Sequence, residues 1–145
     1  MLSYRTIDAG FITITRRYSV CILRYALGVI FLWFGLLKVF GVSPVEQLVA
    51  SSYPMFPMPI FMAILGVWET IIGLGLICRR NLRIILFLLW LQMLGTFGSF
   101  VLSPTLFFTG KNILRLTIEG EFIIKNLVLI AAGLVIAGHE VEHET

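Results

Sequence analysis

The sequence predicts an all-α polytopic membrane protein: a four-transmembrane-helix bundle with a short interfacial helix in the first outer loop. Three observations carry that prediction. The 145 residues are 59% hydrophobic and only 13% charged, where a soluble domain averages about 45–50% apolar and about 25% charged. Four apolar runs, at about 20–40, 60–77, 84–102 and 122–137, approach the length at which a helix rising about 1.5 Å per residue crosses a hydrocarbon core of about 30 Å. All five prolines fall between those runs, where a helix must stop.

The same composition bounds the function. Mean hydropathy is +0.98, and four spans with their connections leave no room for a soluble catalytic domain, so any site must be built from the helices and short loops. The net charge of +3 reads as a topology signal and implies no nucleic acid; the partner demanded is the lipid bilayer. Two cysteines, far apart and without a CxxC, give no disulfide framework.

Residues 1–19 form a polar N-terminal arm with Arg5, Arg16 and Arg17 against a single Asp8. Arg16-Arg17 before an apolar run raises a twin-arginine reading, but no A-x-A-like cleavage site follows, and the run is long enough to remain as a span. In the first span, Arg24, Gly28, Phe31, Gly35 and Lys38 recur at steps of four and three, one helical stripe. As packing, the glycines admit a neighbour and the charged ends snorkel to either interface. As function, Lys38 faces the bundle together with the small residues.

The connection 41–59 carries Pro44, Pro54, Pro57 and Pro59. Between them Val45 to Ala50 suit a short helix over the bundle mouth, with Ser43 as N-cap and Pro44 at the first helical position. Tyr53 suits an aromatic belt. The second span places Glu69 near the bilayer midplane, where a charge costs roughly 2.5 kcal/mol or more and marks a functional candidate by default. Ala63, Gly66, Glu69, Thr70 and Gly73 share one arc, so Glu69 faces protein. A basic loop with Arg79, Arg80 and Arg83 leads to the third span, whose polar stripe is Gln92, Gly95, Thr96, Ser99 and Ser103. A loop from Pro104 carries Lys111, Arg115, Glu119 and Glu121; the fourth span follows, with Lys125 on the face of Glu121 and Ala132. Residues 138–145 are an acidic tail.

Lys and Arg flank the spans at the arm and in the Arg79 to Arg83 loop, while the 41–59 connection has neither, so both termini are expected in the cytoplasm. Glu69 is then near the midplane and Lys38 and Lys125 nearer the outer face. The stem of Lys125 reaches either toward Glu69 or back to Glu121 at i, i+4. The candidate ligand-binding or proton-relay residues are therefore Lys38, Glu69, Gln92, Glu121 and Lys125; the competing reading is a buried pair that fixes helix register. Residues 139–143 spell H-E-x-x-H, but zinc chemistry also needs a further ligand and a walled cleft, and the motif falls in a polar tail, so no metal is expected. Cys21 and Cys78 read as apolar fillers at the cytoplasmic ends of their spans, and the tryptophans as packing or lipid-facing residues. No glycine-rich nucleotide loop is present, and histidines outside the membrane exclude a buried bis-histidine haem.

The stretches RYALGVIFLWFGLLKVFG (Arg24 to Gly41), VWETIIGLGLI (Val67 to Ile77) and EGEFIIKNLVLIAAGLVI (Glu119 to Ile136) resemble the DoxX-like superfamily. The nearest branch is that of the YkgB-like inner-membrane proteins linked with reactive-chlorine resistance. The most specific elements are F-x-x-G-x-x-K at Lys38, E-x-x-I-G-L at Glu69 and G-E-F-x-x-K-N-L at Lys125. The resemblance implies a four-helix bundle in a bacterial inner membrane, with Lys38, Glu69, Glu121 and Lys125 as core polar residues. Relatives include a subunit of an archaeal thiosulfate:quinone oxidoreductase, proteins of methylamine dehydrogenase maturation and a eukaryotic receptor-assembly chaperone. Three expectations follow: an accessory component in membrane redox or oxidant-stress physiology, with quinone or another small ligand between helices; a non-enzymatic assembly or interaction protein, as a homodimer or with another membrane subunit; and a proton-coupled solute transporter, which the lack of an inverted repeat with broken helices disfavours. A self-contained enzyme is not expected.

Overall fold

The computed structural model describes residues 2–110, 112 and 114–141, the first six of these by backbone alone. Among them are seven helices: α1 (Leu2–Val39), α2 (Glu46–Ser52), α3 (Met58–Cys78), α4 (Leu82–Leu102), α5 (Pro104–Phe107), α6 (Ile118–Ile124) and α7 (Leu127–Glu140). Four stretches are long and apolar enough to cross a membrane: Asp8–Val39, Met58–Cys78, Leu82–Leu102 and Ile118–Glu140, the last combining α6 and α7. This is an all-α four-helix membrane bundle. Each of α3 and α4 has 21 residues, about 31 Å of helix, which matches the hydrocarbon thickness.

The helices start and stop where backbone chemistry requires. Past Val39 the chain turns through Gly41 at φ +68°; the Gly41 N–H donates to the Lys38 carbonyl at 3.1 Å and the Val42 N–H to the Leu37 carbonyl at 3.0 Å. That is the Schellman pairing, and it needs a left-handed residue best supplied by glycine. Pro59 sits in the first turn of α3, where no N–H is missed. Pro104 closes α4. Thr117 caps α6, its hydroxyl accepting from the Gly120 N–H at 3.1 Å.

Packing is a closed ring: α1 on α3, α3 on α4, α4 on α7 and α7 on α1. The tightest seam is α1 against α3, built from glycines seven residues apart on each helix: Gly28 and Gly35, Gly66 and Gly73. A Cβ at Gly35 would lie 2.6 Å from the Thr70 backbone nitrogen and 2.7 Å from the Gly66 oxygen; one at Gly66 would lie 2.8 Å from the Gly35 oxygen. Small residues are what let two backbones approach this closely without a hydrophobic driving force between them. Leu27, Phe31, Ile72, Leu76, Leu86, Leu89 and Ile136 fill the centre. The outward surface is Ile, Leu, Val and Phe, as lipid contact demands.

Four expectations are corrected. The arm 1–19 does not stop short of the first span: α1 runs unbroken through Val20. Because Arg24 meets Leu76 and Ile77 at the end of α3 and Val20 packs on the core, the 18 residues of α1 before Val20 overhang that end by about 27 Å. The interfacial helix begins at Glu46 and extends to Ser52, with Val45 as N-cap and no side-chain cap, so Ser43 and Pro44 precede it. Ala63 is exposed, although Gly66, Glu69 and Gly73 on its arc are buried. The fourth span is broken: at Lys125 and Asn126 the winding tightens, with Asn126 N–H donating to the Ile123 carbonyl at 2.9 Å and Val128 N–H to the Lys125 carbonyl at 3.1 Å. These three-residue steps replace four-residue ones, and no proline or glycine marks the place.

Candidate functional site

Three helices each deliver one polar side chain to the same point inside the bundle. Lys38 comes from the last turn of α1, fixed by the Gly41 turn just beyond it and by the glycine seam beneath it. Glu69 comes from the middle of α3, on the face of Gly66 and Gly73. Gln92 comes from the polar stripe of α4. The Lys38 ammonium donates to Glu69 Oε2 at 2.5 Å, and the Gln92 amide donates to Glu69 Oε1 at 2.5 Å. Lys38 and Glu69 are 8% and 7% exposed. The carboxylate therefore receives a charge-assisted bond on one oxygen and an amide bond on the other, the satisfaction a buried charge requires. Capacity is left over. Lys38 has two further donor positions, and Gln92 Oε1 is buried with no hydrogen-bond partner among the described residues.

These residues sit at the edge of a cavity of about 220 Å³. Its walls are apolar: Phe31 and Phe34 from α1, Met93 from α4, Phe122 and Ile123 from α6, Leu129 from α7. Asn126, at the break in the fourth span, also lines the cavity, with Thr96 and Ser99, whose hydroxyls donate to the Gln92 and Thr96 carbonyls. Leu48, Val49, Ser52 and Tyr53 close the cavity on the side of the 41–59 connection, so α2 covers the bundle mouth. It is latched to α4: the Tyr53 hydroxyl donates to the Gly95 carbonyl, and the Ser103 hydroxyl to the Ser52 carbonyl at 3.4 Å. Tyr53 also packs its ring 6.0 Å from that of Phe61.

Of the five candidates, the structure brings Lys38, Glu69 and Gln92 together and leaves out Glu121 and Lys125. The Lys125 side chain is 75% exposed and lies 4.0 Å from Glu121, itself 64% exposed. Lys125 turns back along its own helix to Glu121, four residues earlier, instead of reaching Glu69. Neither is a core polar residue.

A second polar cluster escaped the sequence reading. Arg24 is 4% exposed and does not snorkel: it donates to the Leu76 carbonyl and, at 3.3 Å, to the Ile77 carbonyl. A cation thus meets the negative end of α3. Its Nε lies 2.8 Å from Glu140, which Arg79 also approaches at 3.3 Å. The Arg24 contact is an ion pair without the alignment of a hydrogen bond, since neither Arg24 Nε nor Glu140 Oε2 has a hydrogen-bond partner among the described residues. Glu140 was expected in an exposed tail as the centre of H-E-x-x-H. It is instead buried on α7 and engaged by arginines, while Glu142 and His143 lie outside the described residues. The signal was present: Ala132, Ile136 and Glu140 continue one buried stripe at four-residue steps. Cys21 and Cys78 are both free thiols, and Trp68 ties α3 to α4 by donating to the Leu88 carbonyl at 3.2 Å.

No family model matches the chain, and comparison with curated proteins and with solved structures likewise gives no match.

Proposed function

We propose that this protein is an accessory component of membrane redox or oxidant-stress physiology that holds the head of a quinone-type ligand between its helices. The observation that carries this reading is the pairing of an unused cationic donor with an unused buried acceptor at the edge of an apolar cavity. Lys38 can donate to a quinone carbonyl while still bonded to Glu69, and Gln92 Oε1 can accept from the hydroxyl of the reduced form. Pockets for small molecules have this make-up, apolar walls with a few convergent polar groups. The resemblance to DoxX-like proteins supports the redox setting. The arginines at 16, 17, 79, 80 and 83 support a bacterial inner membrane orientation with both termini cytoplasmic.

Photolabelling with an azido-benzoquinone in lipid nanodiscs tests the reading. Adducts are expected on the cavity walls, Phe34, Met93 and Phe122, and should be competed away by unlabelled quinone. Labelling confined to the outer surface would refute it.

An assembly or interaction role is the second reading, favoured by the overhang of α1. There Phe11, Ile14 and Tyr18 are exposed at 69%, 61% and 48% beyond the bundle, where neither α3 nor α7 reaches. Cross-linking from Ile14→Cys to a second chain, in a homodimer or another membrane subunit, would support that role; exclusively monomeric protein would count against it.

A further inference from the structure

Taking the site to bind such a head group, as proposed above, we infer that the ligand is a single-tailed amphiphile admitted sideways from the lipid, through a portal between α1 and α6, with its tail remaining in the bilayer. The first ground is size. The cavity of about 220 Å³ exceeds the roughly 150 Å³ that accepts a benzene ring and falls short of the roughly 300–1,000 Å³ that encloses a drug-sized molecule. It takes one substituted ring and no chain. A tail attached to that ring must lie elsewhere.

The walls show where. Ile30 and Phe34 on α1 and Phe122 on α6 line the cavity and are at the same time 39%, 46% and 44% exposed. They face both the interior and the hydrocarbon. The ring of helices is closed by α7 on α1, but α6, beyond the break at Lys125 and Asn126, packs on α5 and hardly touches α1. The break therefore separates the part of the fourth span that seals against α1 from the part that leaves it. Phe34 lies about one helical turn from Lys38 on the bilayer side, so the gap opens within the apolar slab and not at its surface. The other route is covered, because α2 lies over the mouth with Tyr53 and Ser52 fastened to α4. A head group arriving through the portal meets Lys38 and Gln92 at its far end.

The test uses full-length protein in nanodiscs, with Cys21→Ser and Cys78→Ser, and Phe34→Cys paired with Phe122→Cys across the portal. The cysteines are bridged by a reducible bis-thiosulfonate, and the probe is a radiolabelled decyl-tailed benzoquinone. Bridging should slow probe association and release by about tenfold or more, as closing a gate does, and reduction should restore both. Phe122→Trp, which narrows the gap without chemistry, should slow exchange in the same direction, whereas Leu134→Ala, on the outward face of α7 and away from the cavity lining, should leave exchange near the unmodified rate. Equal exchange in bridged and reduced protein and in Phe122→Trp would overturn the portal while leaving the binding site standing. Absence of probe binding to the unbridged protein would overturn the binding site and the portal together.

Discussion

Replacing Lys38 by Met tests the intramembrane pair most sharply. In the structure the Lys38 and Glu69 side chains are 8% and 10% exposed and 2.5 Å apart. Removing the lysine leaves Glu69 with only the Gln92 amide as a partner, and breaking a buried pair from one side costs about 3–5 kcal/mol. Glu69→Met should cost a similar amount by stranding the ammonium. The double variant removes both charges and fills the space with apolar volume, a change that is often neutral or stabilising. It also leaves the Gln92 amide unpaired, at about 1–3 kcal/mol. The double variant should therefore be more stable than either single one, and Lys125→Met should fall within about 0.5 kcal/mol of the parent, as surface changes do. Unfolding by sodium dodecyl sulfate titration in mixed micelles, followed by far-ultraviolet circular dichroism, measures all four. Additive costs in the double variant, or a large cost for Lys125→Met, would refute the pairing of Glu69 with Lys38.

The remaining predictions concern the seam, the second cluster and the lid. Gly73→Leu drives a side chain into the Leu32 backbone and should cost about 3 kcal/mol or more in the same titration, whereas Gly138→Ala, where an added Cβ meets nothing, should gain about 0.5–1 kcal/mol. Glu140→Gln removes the charge facing buried Arg24 and should cost about 3 kcal/mol; a cost below about 0.5 kcal/mol would show that the cluster contributes nothing. Tyr53→Phe deletes the latch between the lid and α4 and should cost about 0.5–1.5 kcal/mol, with faster hydrogen exchange at residues 46–53. Burial holds the Tyr53 phenol above the ordinary tyrosine value of about 10. Its contribution is complete below that ordinary value and fades as pH rises through the raised one; in a tyrosinate absorbance titration, Tyr53→Phe should lack a late step that the parent shows.

The four spans were legible because lipid selects for apolar composition along the whole length of a helix, a signal that needs no knowledge of neighbours. Glu69 was legible for the same reason, as a charge where none is tolerated without a partner. Which lysine meets it was not. Lys38 and Lys125 both have flexible stems near one interface, and the choice depends on how α1 slides against α3. That register is set by Gly28 and Gly35 meeting Gly73 and Gly66, a contact between distant segments that neither segment reveals alone. Glu140 was misread because its neighbours in sequence are polar, although its neighbours on the helix face, Ala132 and Ile136, are core. The break at Lys125 and Asn126 carries no proline or glycine, and Lys125 and Glu121 pair with each other on the exposed face of the fourth span, away from the site.

The most direct test of the central claim is native mass spectrometry of the protein released from nanodiscs. Parent protein should carry one adduct per chain with the mass of a single-tailed quinone, and the charge-free Lys38→Met/Glu69→Met variant, folded by circular dichroism, should carry none. An adduct equally abundant on both proteins, or absent from the parent, would contradict a head-group site built on Lys38, Glu69 and Gln92.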